Sequence, residues 1–206
     1  MAKGRPRAFD MDEALDQALK LFWTKGYEGT SLSDLTQAMG ISPPSLYAAF
    51  GNKEGLFRRA LDRYMNEMSG VCGVLNAPTA RGVAEAMLYG AADIDPENPP
   101  GCMLVQAALS CSDASEAVRQ ELIGRRKAGE DALTERFARA VREGDLPPTA
   151  NPATLSRFLT AVVQGMAVHA ASGVGREVLV DIAGATLQAW SALVDTGMSA
   201  QDRAAE

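Results

Sequence analysis

A chain of 206 residues that is 47% hydrophobic can bury a large core, which excludes global disorder. It has no uninterrupted run of about 18 apolar residues, and no apolar stretch behind its basic start, so a spanning helix and a secretion signal are both excluded. The chain therefore reads as cytoplasmic, with no membrane partner. The net charge of −6 argues against a nucleic-acid partner only until its placement is considered, because residues 1–63 carry +1 and the remainder −7. The Debye length is about 8 Å at physiological salt, so a mildly basic head can bind DNA beside an acidic body.

Residues 1–8 are polar and include Lys3, Gly4, Arg5, Pro6 and Arg7, which reads as a flexible basic arm. Asp10 is placed to cap a helix in which Ala14, Leu15, Ala18, Leu21 and Phe22 keep helical spacing as far as Gly26. Two short helices follow, over about 32–39 and 43–49. Ser31 with Asp34 fits a capping box, and Gly40 falls where a helix needs a left-handed terminating residue. Ser42 is a second N-cap, with Pro43 at the tolerated first helical position. Two helices joined by a tight turn containing Gly are the sequence form of a helix-turn-helix.

Asn52 caps a long helix carrying Phe57, Leu61, Tyr64, Met65, Met68, Cys72 and Leu75, which Pro78 stops. A helix over 79–93 precedes a Pro-rich loop at 95–101. A short apolar helix then runs from Cys102 to about Cys111, and a long polar one, capped by Asp113, runs to about Glu143. Asn151-Pro152 starts a further helix, and the last covers about 176–196. No repeat and no period-2 segment occurs. The fold is expected to be all-α with about nine helices, divided into the arm at 1–8, a three-helix head at 9–52 and a helical body at 53–206. Residues 53–76 form the connecting helix of that body.

The second short helix begins with small hydroxyl residues, Ser42 and Ser45, which lets its N-terminus approach a groove. Tyr47 and Lys53 are candidates for phosphate contacts, with helix N-termini at Ser31 and Asn52 adding backbone donors. The arm is suited to a minor groove, or equally to being a solvated tail. There is no Gly-rich phosphate loop, nucleophile elbow or metal-spaced His/Cys cluster, so no catalytic residue, metal or cofactor is expected. A small helical enzyme or adaptor without DNA binding is the reading of another class, and it leaves the head unexplained.

Taken together, Phe22, Gly26-Tyr27, Thr30-Ser31, Leu35, Ala38, Gly40-Ile41-Ser42, Leu46-Tyr47, Phe50 and Lys53-Glu54-Gly55-Leu56-Phe57 resemble the DNA-binding domain of TetR-type transcriptional repressors. The resemblance implies a homodimer on a palindromic double-stranded operator, with recognition helices about 34 Å apart or somewhat more. It implies phosphate anchors at Thr30, Ser31, Tyr47 and Lys53, and base contacts from Ser42, Pro43, Pro44 and Ser45. Pro43-Pro44 departs from the Gly or Lys/Arg of many relatives, so base readout leans on the two serines and on apolar contact with thymine methyls. The resemblance also implies a dimer surface on the last two helices, for which Ala161, Gly165, Ala183, Gly184, Leu187, Trp190 and Leu193 are candidates. Ordinary intramolecular core is their alternative reading. It implies a small, apolar or amphipathic inducer held between the connecting helix and the body. Met65, Met68, Cys72, Met103, Phe137, Phe158, Val162, Met166 and His169 are candidates for that wall, and Gln106 could orient the ligand; core packing is again the alternative. An alternative sensor is a thiol at Cys102 or Cys111. These two are nine residues apart on one expected helix, about 13 Å along its axis, so they cannot pair within it.

Overall fold

The computed structural model describes residues 9–93, 98–109 and 115–195, with the backbone alone for 67–72 and 108–109. Lys3, Arg5, Arg7, Cys111, Asp113 and the side chains of Met68 and Cys72 lie outside the described residues. Among those residues the chain is all-helical. The elements are α1 (Met11–Lys25), α2 (Leu32–Met39), α3 (Pro43–Phe50), α4 (Lys53–Val71), a 3-10 turn (Cys72–Asn76), α5 (Ala80–Ala92), α6 (Met103–Leu109), α7 (Glu116–Glu143), α8 (Pro152–Ala171) and α9 (Arg176–Asp195).

The helix ends follow the caps written in the sequence. Asp10 accepts from the Asp12 and Glu13 amides, and Ser31 and Asp34 form a reciprocal capping box. Gly40 is left-handed at φ 64°, and Asn151 caps α8 ahead of Pro152. α4 is shorter than expected: it tightens into a 3-10 turn at Cys72, before Pro78.

Arg136 on α7, 6% exposed, holds that turn by donating to Leu75 O at 3.0 Å and to Ala77 O at 2.8 Å. Nothing in the apolar pattern of α7 singled out this arginine. Its guanidinium neutralises carbonyls that the end of the turn would otherwise leave without donors.

Two apolar cores organise the chain, and the first runs across residue 52. The first joins Phe22, Leu35 and Leu46 of the head to Leu56, Phe57, Leu61 and Tyr64 of α4, Met103 and Ala107 of α6, and Val118 and Leu122 of α7. The second joins Val83 and Leu88 of α5 to Leu133 and Phe137 of α7, Leu159 and Met166 of α8, and Ala183, Leu187 and Trp190 of α9. α7 therefore passes from one core to the other between Leu122 and Leu133. α6 packs on α1, α4, α7 and α8. The head's core is closed by elements of the body, because three short helices cannot bury their inner faces alone.

Several expected ligand and interface residues are placed differently by this packing. Ala183, Leu187 and Trp190 are buried within their own chain, with Trp190 5.7 Å from the Phe137 ring between centroids, so they are core residues and not a free dimer surface. His169 is exposed on α8 and lines no interior wall. Met103 is buried in the first core, while Phe137 and Met166 are buried in the second, so they do not share one wall. α9 also qualifies an expectation: by length and composition it is apolar enough to cross a membrane, yet only 33% of its apolar window is buried in the chain. Its remaining apolar surface includes Val178, 51% exposed.

Candidate nucleic-acid interface

α2 and α3 present the helix-turn-helix. α3 buries Leu46 and Phe50 against the first core and turns Pro43, Pro44, Tyr47 and Ala48 to solvent. Successive residues are about 100° apart on a helix, so these four share one face. Tyr47 is 48% exposed, so its ring and hydroxyl are open to a partner.

Donors at the three helix N-termini differ. In α2, Ser31 Oγ takes the Asp34 amide at 3.0 Å, and among the described residues the amides of Leu32 and Ser33 make no hydrogen bond. In α4, Asn52 Oδ1 takes the Gly55 amide at 2.7 Å, and the amides of Lys53 and Glu54 likewise stay open. Open first-turn amides at the positive end of a helix dipole are suited to phosphate oxygens. In α3, by contrast, Pro43 and Pro44 have no N–H, and the Ser45 amide is spent on Ser42 Oγ at 3.3 Å. The Ser42 and Ser45 hydroxyls bond each other at 2.9 Å.

Lys53 is not a loose surface cation. Its Nζ lies 4.2 Å from the centroid of the Tyr27 ring. Burial holds its pKa below the ordinary lysine value, with Glu28 acting in the opposite sense. Ser115, at the start of α7, donates to Glu28 and so ties this corner of the head to the body. The position of Tyr27 beneath Lys53 was not legible as a pair, because the two residues are far apart in sequence and meet only when α1 packs on α4.

Thr30 corrects an expectation. It is fully buried, and its hydroxyl donates to Gly26 O at 2.7 Å. It therefore closes the turn after α1 and offers no side-chain group to a phosphate. Ser31 is exposed beside it.

Among the ligand candidates, Met65, Gln106, Phe158 and Val162 are half-buried; Met65 packs against the first core and Val162 against the second. A Cβ on Gly101, whose φ is 90°, would lie 3.3 Å from Gln106 Nε2 and 2.6 Å from Ala167 O. The start of α6 is thus wedged against α8. Cys102 is half-buried, and its Sγ accepts from the Tyr64 hydroxyl at 3.4 Å. Burial, and the Cys102 sulfur beside it, push the Tyr64 phenol well above its usual range, so it stays protonated as that donor.

Comparison with known proteins agrees with this architecture. Residues 14–60 match the family described as bacterial regulatory proteins, tetR family, and residues 78–187 match the tetracyclin repressor-like C-terminal domain. The HTH-type transcriptional repressor ComR of Escherichia coli K12 is 38% identical over 198 residues, 94% of each chain. The HTH-type transcriptional repressor BdcR of the same organism is 50% identical over 62 residues, 30% of this chain and 32% of its own. A cysteine mutant of the TetR family regulator CifR, solved with 26-base-pair operator DNA, superposes with a TM-score of 0.86 at 43% identity, covering 90% of this chain and 100% of that one. With a family match across both head and body and a relative matched over nearly its whole length, the chain belongs to the TetR family of bacterial regulatory proteins.

Proposed function

We propose that this protein is a transcriptional repressor that binds a palindromic operator as a homodimer and leaves it when a small molecule occupies the body. The observation that carries the DNA reading is the pair of helix N-termini with open amides, at Ser31 and Asn52, flanking an exposed α3. Tyr47 and Lys53 then serve as phosphate anchors, joined by Ser31 and by the arm at Lys3, Arg5 and Arg7. The CifR mutant solved with operator DNA supports the DNA reading.

Dimerisation falls to the faces of α8 and α9 that stay exposed. Ala161, Gly165 and Val168 line one helix, and Val178, Ala185 and Ala189 the other. These small residues at helical spacing allow two copies to pack closely about a two-fold axis. The ligand site is assigned to the body, where Met65, Gln106, Phe158 and Val162 are half-buried candidates for its lining. The apolar Met65, Phe158 and Val162 beside the single amide of Gln106 suit an apolar or amphipathic molecule. Release requires that this molecule bind the DNA-incompetent arrangement more tightly than the competent one.

The test begins with selection of genomic fragments on purified protein, followed by anisotropy titrations on the recovered operator. Tyr47→Ala and Lys53→Ala are expected to weaken binding on every sequence, and Lys53→Ala to flatten the salt dependence by about one unit of slope. If neither variant moves the affinity, the docking assignment is wrong. An enzyme or adaptor without DNA binding would retain no fragment selectively.

A further inference from the structure

We propose that α3 reads its half-site through the C5-methyl groups of thymine, using Pro43, Pro44 and Ala48 as the reading surface. The inference rests on the DNA docking proposed above and specifies what the recognition helix detects.

α3 is written PPSLYAAF and contains no Arg, Lys, Asn, Gln, Asp or Glu. These are the side chains that make bidentate contacts with guanine or adenine, or that accept from cytosine N4, so α3 has none of the strong means of telling base edges apart. Its backbone adds nothing, because the first two residues lack an N–H and the third amide is held by Ser42. The serine pair offers little more. Whichever hydroxyl donates across the 2.9 Å contact, one hydroxyl proton remains for an outside acceptor. A single donor finds N7 on adenine and on guanine alike, so it does not discriminate between them.

What α3 does present is apolar and rigid. Pro43, Pro44 and Ala48 are exposed on one face, and none of them loses side-chain rotamer freedom on contact. The apolar feature of the major-groove edge is the thymine C5-methyl. Labour is therefore divided within the head. The N-termini of α2 and α4 keep open amides for phosphates, while α3, stripped of donors by its two prolines, supplies surface for methyl groups. The pyrimidine methyl is the recognised group, so 5-methylcytosine presents the same handle at the same place.

The experiment uses full-length protein and its selected operator. Thymines are replaced one at a time by deoxyuracil, which removes only the methyl, and affinity is read by anisotropy. At one or more positions per half-site under α3, each replacement is expected to weaken binding about threefold to fivefold, the effect of leaving one methyl unburied. At the same positions 5-methylcytosine is expected to bind tighter than cytosine by a similar factor. Pro44→Ala, with helix content checked by circular dichroism, is expected to abolish the uracil effect at one position and leave the others. Should every uracil operator bind within about twofold of the parent while Tyr47→Ala and Lys53→Ala still weaken binding, the methyl reading is overturned and the docking stands. Should those two variants also bind normally, the docking fails and the methyl reading fails with it.

Discussion

Thr30 and Lys53 sit at opposite ends of the helix-turn-helix segment, and burial separates their roles. Thr30 gives its hydroxyl to Gly26 O inside the head, so Thr30→Val leaves a buried carbonyl without its donor. Unfolding in urea is expected to show a loss of about 1–2 kcal/mol, with operator affinity unchanged well below the transition. A large loss of affinity at unchanged stability would restore Thr30 as a DNA contact. Lys53 is held over the Tyr27 ring at 4.2 Å, which limits the side-chain freedom that would be lost on meeting a phosphate. Tyr27→Leu is accordingly expected to weaken operator binding about twofold to fivefold, and to have no effect in a Lys53→Ala background. A double-mutant cycle by anisotropy measures that coupling; additive effects would mean that Tyr27 does not act through Lys53. The sequence made Lys53 legible as a cation at a helix start. It could not show that Thr30 turns inward, since a threonine next to a serine N-cap reads the same whether its hydroxyl faces water or a carbonyl.

At the level of helices, the ends were legible and the faces only in part. Asp10, the Ser31–Asp34 box, Gly40 and Asn151-Pro152 act within one turn of themselves, so local sequence is enough to place them. α9 is different. It carries Leu187 and Trp190 on one side and Val178, Ala185 and Ala189 on another, so apolar residues surround much of the helix. A helix of that kind does not reveal which side meets its own core and which meets a second copy. Packing against α5 and α8 decides it, by taking Ala183, Leu187 and Trp190 inside and leaving the smaller residues out. The two sides are expected to respond differently to a charge. Ala189→Glu should give a folded monomer by light scattering, with operator affinity falling by two orders of magnitude or more as one half-site is lost. Ala183→Glu places a carboxylate in a fully buried position and should abolish cooperative folding instead. A dimeric Ala189→Glu protein would assign dimerisation to another surface.

Across the whole molecule, head and body share a core, so neither moves without repacking the other. α6 is one of the elements that join them: Met103 and Ala107 lie in the head's core, while Gly101 at its entry lies against α8. Arg125 on α7 adds a second tie, with its guanidinium 2.6 Å from Asp62 on α4 and 2.7 Å from Glu121 on its own helix. Ion pairs that stay partly open to water, as these do, fix orientation more than they add stability, so the shared apolar contacts carry most of the coupling. No single stretch of sequence displays this arrangement, because the residues that form each core come from four or more helices. Gly101 offers a direct test. Its φ of 90° disfavours any side chain, and a Cβ there would stand 2.6 Å from Ala167 O, a backbone atom that cannot rotate away. In Gly101→Ala the start of α6 must therefore shift off α8, and Met103 carries that shift toward α1 and α4. Operator affinity is expected to fall about tenfold, within the usual range of coupling free energies, although residue 101 lies outside the proposed DNA surface. Anisotropy measures the fall, and circular dichroism checks that the fold is retained. If stability drops while affinity at low temperature stays at the parent value, α6 supports the head without transmitting to it, and the ligand signal must reach DNA through the dimer helices alone.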